Sequence, residues 1–264
     1  MKTVIGINGA AGRMGQRLVH LAHADMGLAL GAALESLNHA CQDRDIGEVC
    51  GLGTLGVPVR SELPLGHRLD VLIDFSTPEG TMNVLDTCVA RRLPLVVATT
   101  GHTPEQRQRI EEAAHDTALL MAPNMSLVVN VLFELVRRSA EMLKGKDFDV
   151  EILERHHRYK KDSPSGTALH LARIVQHVMG QTHLRHGREG IVGERPAKEI
   201  GIHAIRGGDN VGEHAILFST IGETLELVHK STSRDSYARG ALEAAKFLAG
   251  KPAGRYGMND VLGL

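Results

Sequence analysis

The densest run of side chains able to do chemistry is Glu154-Arg155-His156-His157-Arg158-Tyr159-Lys160-Lys161-Asp162-Ser163-Pro164-Ser165-Gly166-Thr167. Two histidines and two lysines this close disfavour one another's protonated forms, whereas a dianionic ligand favours them. Such groups can pass protons near neutral pH. The Ser165-Gly166-Thr167 end carries a separate signal. Ser165 after Pro164 is a good helix cap, and the next N–H groups open a helix whose N-terminus attracts carboxylate or phosphate. A cationic His/Lys cluster facing such an end describes a pocket for a small polyanion. Taken alone, HH-x-x-K fits a solvated basic loop better, and Ser165 fits an ordinary cap. A metal site lacks a third ligand at usable spacing.

A second signal is Gly9-Ala10-Ala11-Gly12-Arg13-Met14-Gly15, which follows a short strand and opens a helix. Glycine there lets backbone approach a pyrophosphate held against unpaired N–H groups. The spacing is G-x-x-G-x-x-G rather than the commoner G-x-G-x-x-G. An acid should end the second strand to accept from the adenosine ribose, and Glu35 stands twenty residues after Gly15. A tight turn with no ligand is the bland alternative; strand, helix and Glu35 together favour a dinucleotide.

The elements that must position these groups follow from hydrophobic periodicity. Strands are expected at 4–7, 28–34, 71–75, 95–99 and 118–122, with helices at 13–24 and after 126. Ser76-Thr77-Pro78-Glu79 and Thr103-Pro104-Glu105-Gln106 read as helix starts, with Ser76 as the first cap. Near-continuous apolar strands alternating with helices predict a parallel sheet covered on both faces. The pattern then changes to strands at 148–154, 200–206, 214–221 and 224–230, with helices at 165–179 and 236–249. That second half predicts an open mixed or antiparallel sheet.

Composition narrows the class. The chain has 264 residues, 42% hydrophobic and 23% charged, with net charge −1, which excludes disorder and disfavours nucleic acid as the main partner. No uninterrupted apolar run is long enough for a membrane span. The start, MKTVIGINGAAG, reads as a strand entering glycines rather than a signal peptide. Three cysteines without metal or redox spacing (Cys41, Cys50, Cys88) fit a reducing cytoplasm.

Five motifs in order resemble one family: G-A-A-G-R-M-G at 9–15, A-T-T-G at 98–101, A-P-N-M-S at 122–126, the 154–168 run, and R-G-G-D-x-x-G-E-H at 206–214. Together they resemble the 4-hydroxy-tetrahydrodipicolinate reductases, also called dihydrodipicolinate reductases, of the diaminopimelate route to lysine. The resemblance implies an α/β fold: a Rossmann-like dinucleotide-binding domain (1–126 with 235–264) and an α+β substrate domain with an open mixed sheet (127–234). It also implies a cytoplasmic homotetramer built through the substrate-domain sheets. His156 then looks like the proton donor/acceptor and Lys160 like a second donor. His157, Gly166 and Thr167 look like substrate ligands, with Ser165 in the same turn. Gly9, Ala10, Ala11, Gly12, Arg13, Met14, Glu35, Ala98, Thr99, Thr100, Ala122, Pro123, Asn124 and Met125 look like the NADH or NADPH site. The substrate would be a small cyclic dicarboxylate, reduced by hydride and then protonated. No metal, nucleic acid or membrane partner is expected. Domain closure around the ligand is expected, with hinges near 124–127 and 233–236.

Three positions depart from the family pattern. Ser36 stands where Arg often holds the NADPH 2′-phosphate, which predicts a preference for NADH unless Arg44 or His39 substitutes. Ala98 replaces Gly, and Met125 replaces Phe. A dehydrogenase of another small oxo- or imino-acid, or a non-catalytic dinucleotide sensor, shares the N-terminal features. The sensor has no need of His156 and Lys160.

Overall fold

Short β-branched and leucine-rich runs form the strands of the first sheet, and the amphipathic stretches between them cover it. The computed structural model describes residues 1–264, which divide into two compact units: Met1–Leu127 with Asp235–Leu264, and Val128–Arg234. The chain begins β1 (Thr3–Asn8), α1 (Arg13–Ala24), β2 (Leu28–Leu34), α2 (Ile46–Val49), β3 (Val59–Arg60), β4 (Val71–Asp74), α3 (Pro78–Arg91), β5 (Leu95–Val97), α4 (Pro104–Ala113) and β6 (Ala118–Met121). It continues α5 (Leu127–Leu143), β7 (Asp149–His156), α6 (Gly166–Met179), β8 (His183–His186), β9 (Glu199–Arg206), β10 (Gly212–Thr220) and β11 (Glu223–Ser231). It then returns to the first unit as α7 (Asp235–Leu248), β12 (Gly254–Tyr256) and α8 (Met258–Leu262).

The seven strands of the first unit lie in the order β3-β2-β1-β4-β5-β6-β12, all parallel. This is the doubly wound dinucleotide order with one added edge strand. The chain reverses direction of growth between β1 and β4, so a crevice opens at their carboxyl ends, beside Gly9 and Phe75. Both faces of the sheet are buried. Ile5, Ile7, Ile73, Val96 and Leu120 pack with Leu18 and Val19 of α1 and with the alanine face of α7. Leu72, Leu95, Val97 and Leu119 face the other way, against Val84, Leu85 and Cys88 of α3 and Ile110 of α4.

The helix starts obey the predicted chemistry with one correction. Thr77, not Ser76, caps α3: its hydroxyl accepts from Gly80 N at 3.1 Å, with Pro78 in the first turn. The Ser76 hydroxyl instead donates to Asp74 Oδ1 at 2.5 Å, because a carboxylate two residues back is a stronger acceptor than Ser76 is a cap. Thr103 and Gln106 form the full capping box of α4. The short elements α2, β3, β8, β12 and α8 were not predicted; two to five residues carry too little periodicity to read.

The second unit is a five-stranded mixed sheet, β11-β10-β7-β9-β8, antiparallel on one side of β7 and parallel on the other. One face is covered by α5 and α6, through Val129, Leu132, Phe133 and Val136 and through Leu171, Ala172 and Val175, packed on Val150, Ile152, Ile202, Ile216 and Phe218. Strand β7 runs two residues past the expected end, to His156. No helix is long and apolar enough to cross a membrane.

Candidate active site and nucleotide site

Residues two apart on a strand share a face. Along β7 the buried positions are Val150, Ile152, Glu154 and His156, so the apolar face of the sheet ends in a carboxylate and an imidazole. Glu154 is fully buried and His156 is 7% exposed. Glu154 Oε2 accepts from His156 Nδ1 at 2.5 Å and from Arg206 Nη1 at 2.7 Å. Its Oε1 accepts from Ser165 N at 3.0 Å and from Arg206 Nη2 at 2.7 Å. Burial pushes the Glu154 carboxyl up, but the bonds from His156, Arg206 and Ser165 outweigh it and hold the group at about 2. Glu154 is therefore ionised and can only accept, so His156 Nδ1 carries a proton toward it and Nε2 is the nitrogen left for proton exchange. Gly212 leaves room for it: a Cβ there would lie 3.0 Å from that Nε2.

Ser165 caps α6, its Oγ accepting from Ala168 N at 3.2 Å. With that lone pair engaged, the hydroxyl donates to His214 Nε2 at 3.0 Å. Burial, reinforced by the charge of His156, pushes the His214 imidazole down to about 3, so it is a neutral acceptor. Ser165 is thus tied at both its N–H and its hydroxyl inside the protein. Gly166, exposed, and Thr167, half-buried, form the mouth of the helix.

The segment after β7 is fastened to the turn after β9. His157 N donates to Asn210 O at 2.7 Å, Arg158 N to Gly208 O at 3.1 Å, and Gly207 N to His156 O at 3.0 Å. Lys160 Nζ pairs with Asp162 Oδ1 at 2.9 Å. The His157 imidazole is held below its ordinary value, by desolvation and then by the positive charges of Arg234, His156, Lys160 and Arg206. Its Nε2 is 3.5 Å from Arg234, and its Nδ1 has no hydrogen-bond partner within the protein. The geometry is a cationic rim with one framed imidazole and an open helix mouth, which suits a small dianion.

In the first unit Gly9 takes φ +79°, and a Cβ on it would lie 2.6 Å from Phe75 O. A Cβ on Gly15 would overlap the Gly9 carbonyl. Only glycine lets the turn, α1 and β4 approach this closely. Helix α1 starts at Gly12 with no capping side chain and no acid in its first turn, unlike α3 and α4. Its first-turn N–H groups, from Arg13 and Met14 onward, therefore fit a pyrophosphate. Glu35 Oε1 accepts from Ala11 N at 2.9 Å, and Ala10 is buried beneath the turn.

The other nucleotide-site positions sort by exposure. Thr100 and Pro123 are exposed, and Ala122 and Asn124 are half-buried. Ala98 and Thr99 are buried, their N–H groups donated to Asp74 O, and the Thr99 hydroxyl accepts from Ser76 N at 2.9 Å. Met125 is 3% exposed and packs in the core of the sheet rather than outward. Beneath these loops the buried Asp74 accepts from Asn8, Ser76 and Thr81. No cluster of three or more His, Cys, Asp or Glu is arranged to hold a metal ion.

Sequence reasoning missed Glu154, Arg206 and His214 as site residues. The signal for Glu154 was present: it stands two before His156 in a strand. Arg206 and His214 come from neighbouring strands, in register with His156 and Glu154, and that register is not visible in one sequence.

A doubly wound sheet with an uncapped glycine turn, in a chain whose second unit sets a buried imidazole on a carboxylate beside a helix N-terminus, fits an NAD(P)H-dependent oxidoreductase. Comparison with known proteins gives the particular group. Residues 3–125 match the family described as dihydrodipicolinate reductase, N-terminus, and residues 128–262 the one described as dihydrodipicolinate reductase, C-terminus. The chain belongs to the dihydrodipicolinate reductase family. It is 45% identical to 4-hydroxy-tetrahydrodipicolinate reductase of Syntrophotalea carbinolica, covering 98% of each chain. It is 47% identical to the enzyme of that name from Anaeromyxobacter sp., over 98% of this chain and 97% of the other. The solved structure of dipicolinate-bound dihydrodipicolinate reductase from Paenisporosarcina sp. TG-14 superposes with TM-score 0.77 at 25% identity, covering 97% of this chain and 98% of that one.

Proposed function

We propose that this chain reduces 4-hydroxy-tetrahydrodipicolinate to tetrahydrodipicolinate with NADH or NADPH, in the diaminopimelate route to lysine. The observation that carries the chemistry is the framed imidazole: His156 Nδ1 on a fully buried Glu154 that also takes Ser165 N at the start of α6. When bound, the nicotinamide supplies hydride from its C4. Gly9, Ala10, Ala11, Gly12, Arg13 and Met14 hold the pyrophosphate, and Glu35 the adenosine ribose. Ala98, Thr99, Thr100, Ala122, Pro123, Asn124 and Met125 line the rest of the nucleotide site, the buried ones through backbone.

His157 and the N–H groups of Gly166 and Thr167 take the substrate carboxylates, and Ser165 shapes that mouth through its cap. Hydride uptake leaves excess electron density on the conjugated ring. The dianion favours the imidazolium form of His156, which stabilises that density and donates its Nε2 proton while Nδ1–H stays on Glu154, with Lys160 as the second donor. The domain roles follow: the unit containing Gly9 binds the nucleotide, and the unit containing His156 binds the dicarboxylate.

We also infer a homotetramer assembled through the uncovered face of the second sheet. On that face Ile205 and Val228 are 43% and 48% exposed, which supports such a contact. Free Cys41, Cys50 and Cys88 support a reducing, cytoplasmic setting. The decisive experiment couples the purified chain to a synthase that generates the substrate and follows NADH and NADPH oxidation. Substrate-dependent oxidation is expected; its absence, with oxidation on another imino- or oxo-acid, overturns the assignment. Sedimentation of the same sample checks the tetramer.

A further inference from the structure

The four-way bonding of Glu154 assigns a role that neither a cap nor a proton donor explains alone. We propose that Glu154 is a positioning residue that couples the proton donor to the anion-binding helix mouth, with Arg206 as its counter-ion. This rests on the reductase reading above. One carboxylate oxygen holds His156 Nδ1 and the other holds Ser165 N, so the donor and the start of α6 are set by a single rigid group. Arg206 bridges both oxygens at 2.7 Å and also donates to Asp162 O at 2.7 Å, which fixes the loop carrying Lys160.

A fully buried carboxylate is costly unless every lone pair is met, and here four donors meet it. Glutamine cannot replace it. Its single carbonyl oxygen cannot accept from both His156 and Ser165 across the group, and its amide N–H would face Arg206 or another donor. The remaining charged or titratable neighbours are His214, whose ring centroid is 5.2 Å from that of His156, and His157, Lys160 and Arg234 on the rim. Glu154 is the one anion among them that touches His156.

Nitrogen chemical shifts of the His156 imidazole test the proposal without turnover. In the unaltered protein Nδ1 is expected to carry a proton; a proton resident on Nε2 with Nδ1 bare overturns the proposal. The kinetic test is a cycle of Glu154→Gln and His156→Gln in the full chain, with NADH. Glu154→Gln is expected to lower kcat about a hundredfold, to move the pH profile of kcat to lower pH, and to raise KM for the substrate. In the His156→Gln background the same change should leave kcat within about twofold while still raising KM. An equal loss of kcat in both backgrounds, with no shift of the profile, makes Glu154 a stabiliser of the fold only and overturns the proposal. If Glu154→Gln does not fold, Glu154→Asp keeps the charge and should retain the Nδ1 proton while losing kcat. An unaltered protein that shows the Nδ1 proton yet does not reduce the substrate refutes the reductase reading and leaves the framing of His156 standing.

Discussion

Glu35 Oε1 accepts the N–H of Ala11 at 2.9 Å, so the acid at the end of β2 and the glycine turn after β1 form one hydrogen-bonded piece. A carboxylate has acceptor capacity beyond that bond. Glu35 can brace the turn with one oxygen and meet the ribose with the other. Glu35→Ala removes the Ala11 contact and the proposed ribose contact. KM for NADH should rise about tenfold with kcat changed less, measured by steady-state kinetics at saturating substrate; an unaltered KM would refute the ribose role.

Ser36 follows directly and is exposed. Its carbonyl accepts from His39 N at 2.9 Å and Gln42 Nε2 at 2.8 Å, which fixes the turn after β2 without supplying a cation. NADH should therefore be used at least as well as NADPH. Ser36→Arg should raise kcat/KM for NADPH about tenfold by adding a bidentate phosphate partner. A strong NADPH preference in the unaltered protein would show that Arg44 or another cation already reaches the phosphate.

His156→Gln and Lys160→Ala should each lower kcat by about a hundredfold or more, with KM changed far less. In the proposed roles both side chains act on charge that develops only in the transition state. Full kcat in both variants would remove them from the proton-donor role.

Stability should depend on His214 in a defined window. Its folded pKa is pushed to about 3 from the ordinary 6.5. Between those values the unfolded chain binds a proton that the folded protein does not, so stability falls as pH drops from 6.5 toward 3. His214→Gln should flatten the dependence by up to about 1.36 kcal/mol per pH unit, read from urea titrations between about pH 6.5 and about pH 4.5. Glu154 acts lower: its depressed pKa gives stability that is present above 4.5 and lost as pH falls toward 2. A slope that survives the His214 substitution would mean other buried histidines carry it.

Gly15→Ala should destabilise the first unit by about 1–3 kcal/mol, since the added methyl would overlap the Gly9 carbonyl. Unfolding in urea measures it, and cofactor KM should rise with it.

The first unit was legible because its long strands are buried on both faces and its helices carry caps that obey local rules. Thr103-Pro104-Glu105-Gln106 predicted the cap of α4 directly, whereas Ser76-Thr77-Pro78-Glu79 placed the cap of α3 one residue early, because Asp74 competes for the Ser76 hydroxyl across the end of β4. The site was half legible. His156, Lys160 and the Ser165 turn are contiguous and chemically dense. Glu154 looked like part of the same charge run, and only its burial at the end of β7 separates it from the exposed Arg155 beside it. Arg206 and His214 enter through strand register, which depends on long-range pairing that a local pattern does not encode.

The nucleotide unit is built from two stretches of chain, and its second stretch begins only at Asp235. Helix α7 packs on α1 and on β4, β5 and β6, and β12 closes the sheet edge at β6. On the ribosome, strands β1 to β6 emerge with that apolar side covered only by α1, and the intervening unit is synthesised before the rest of the cover arrives. The order of translation thus makes the intervening unit the first that can complete itself, while the older half of the polypeptide waits on the youngest.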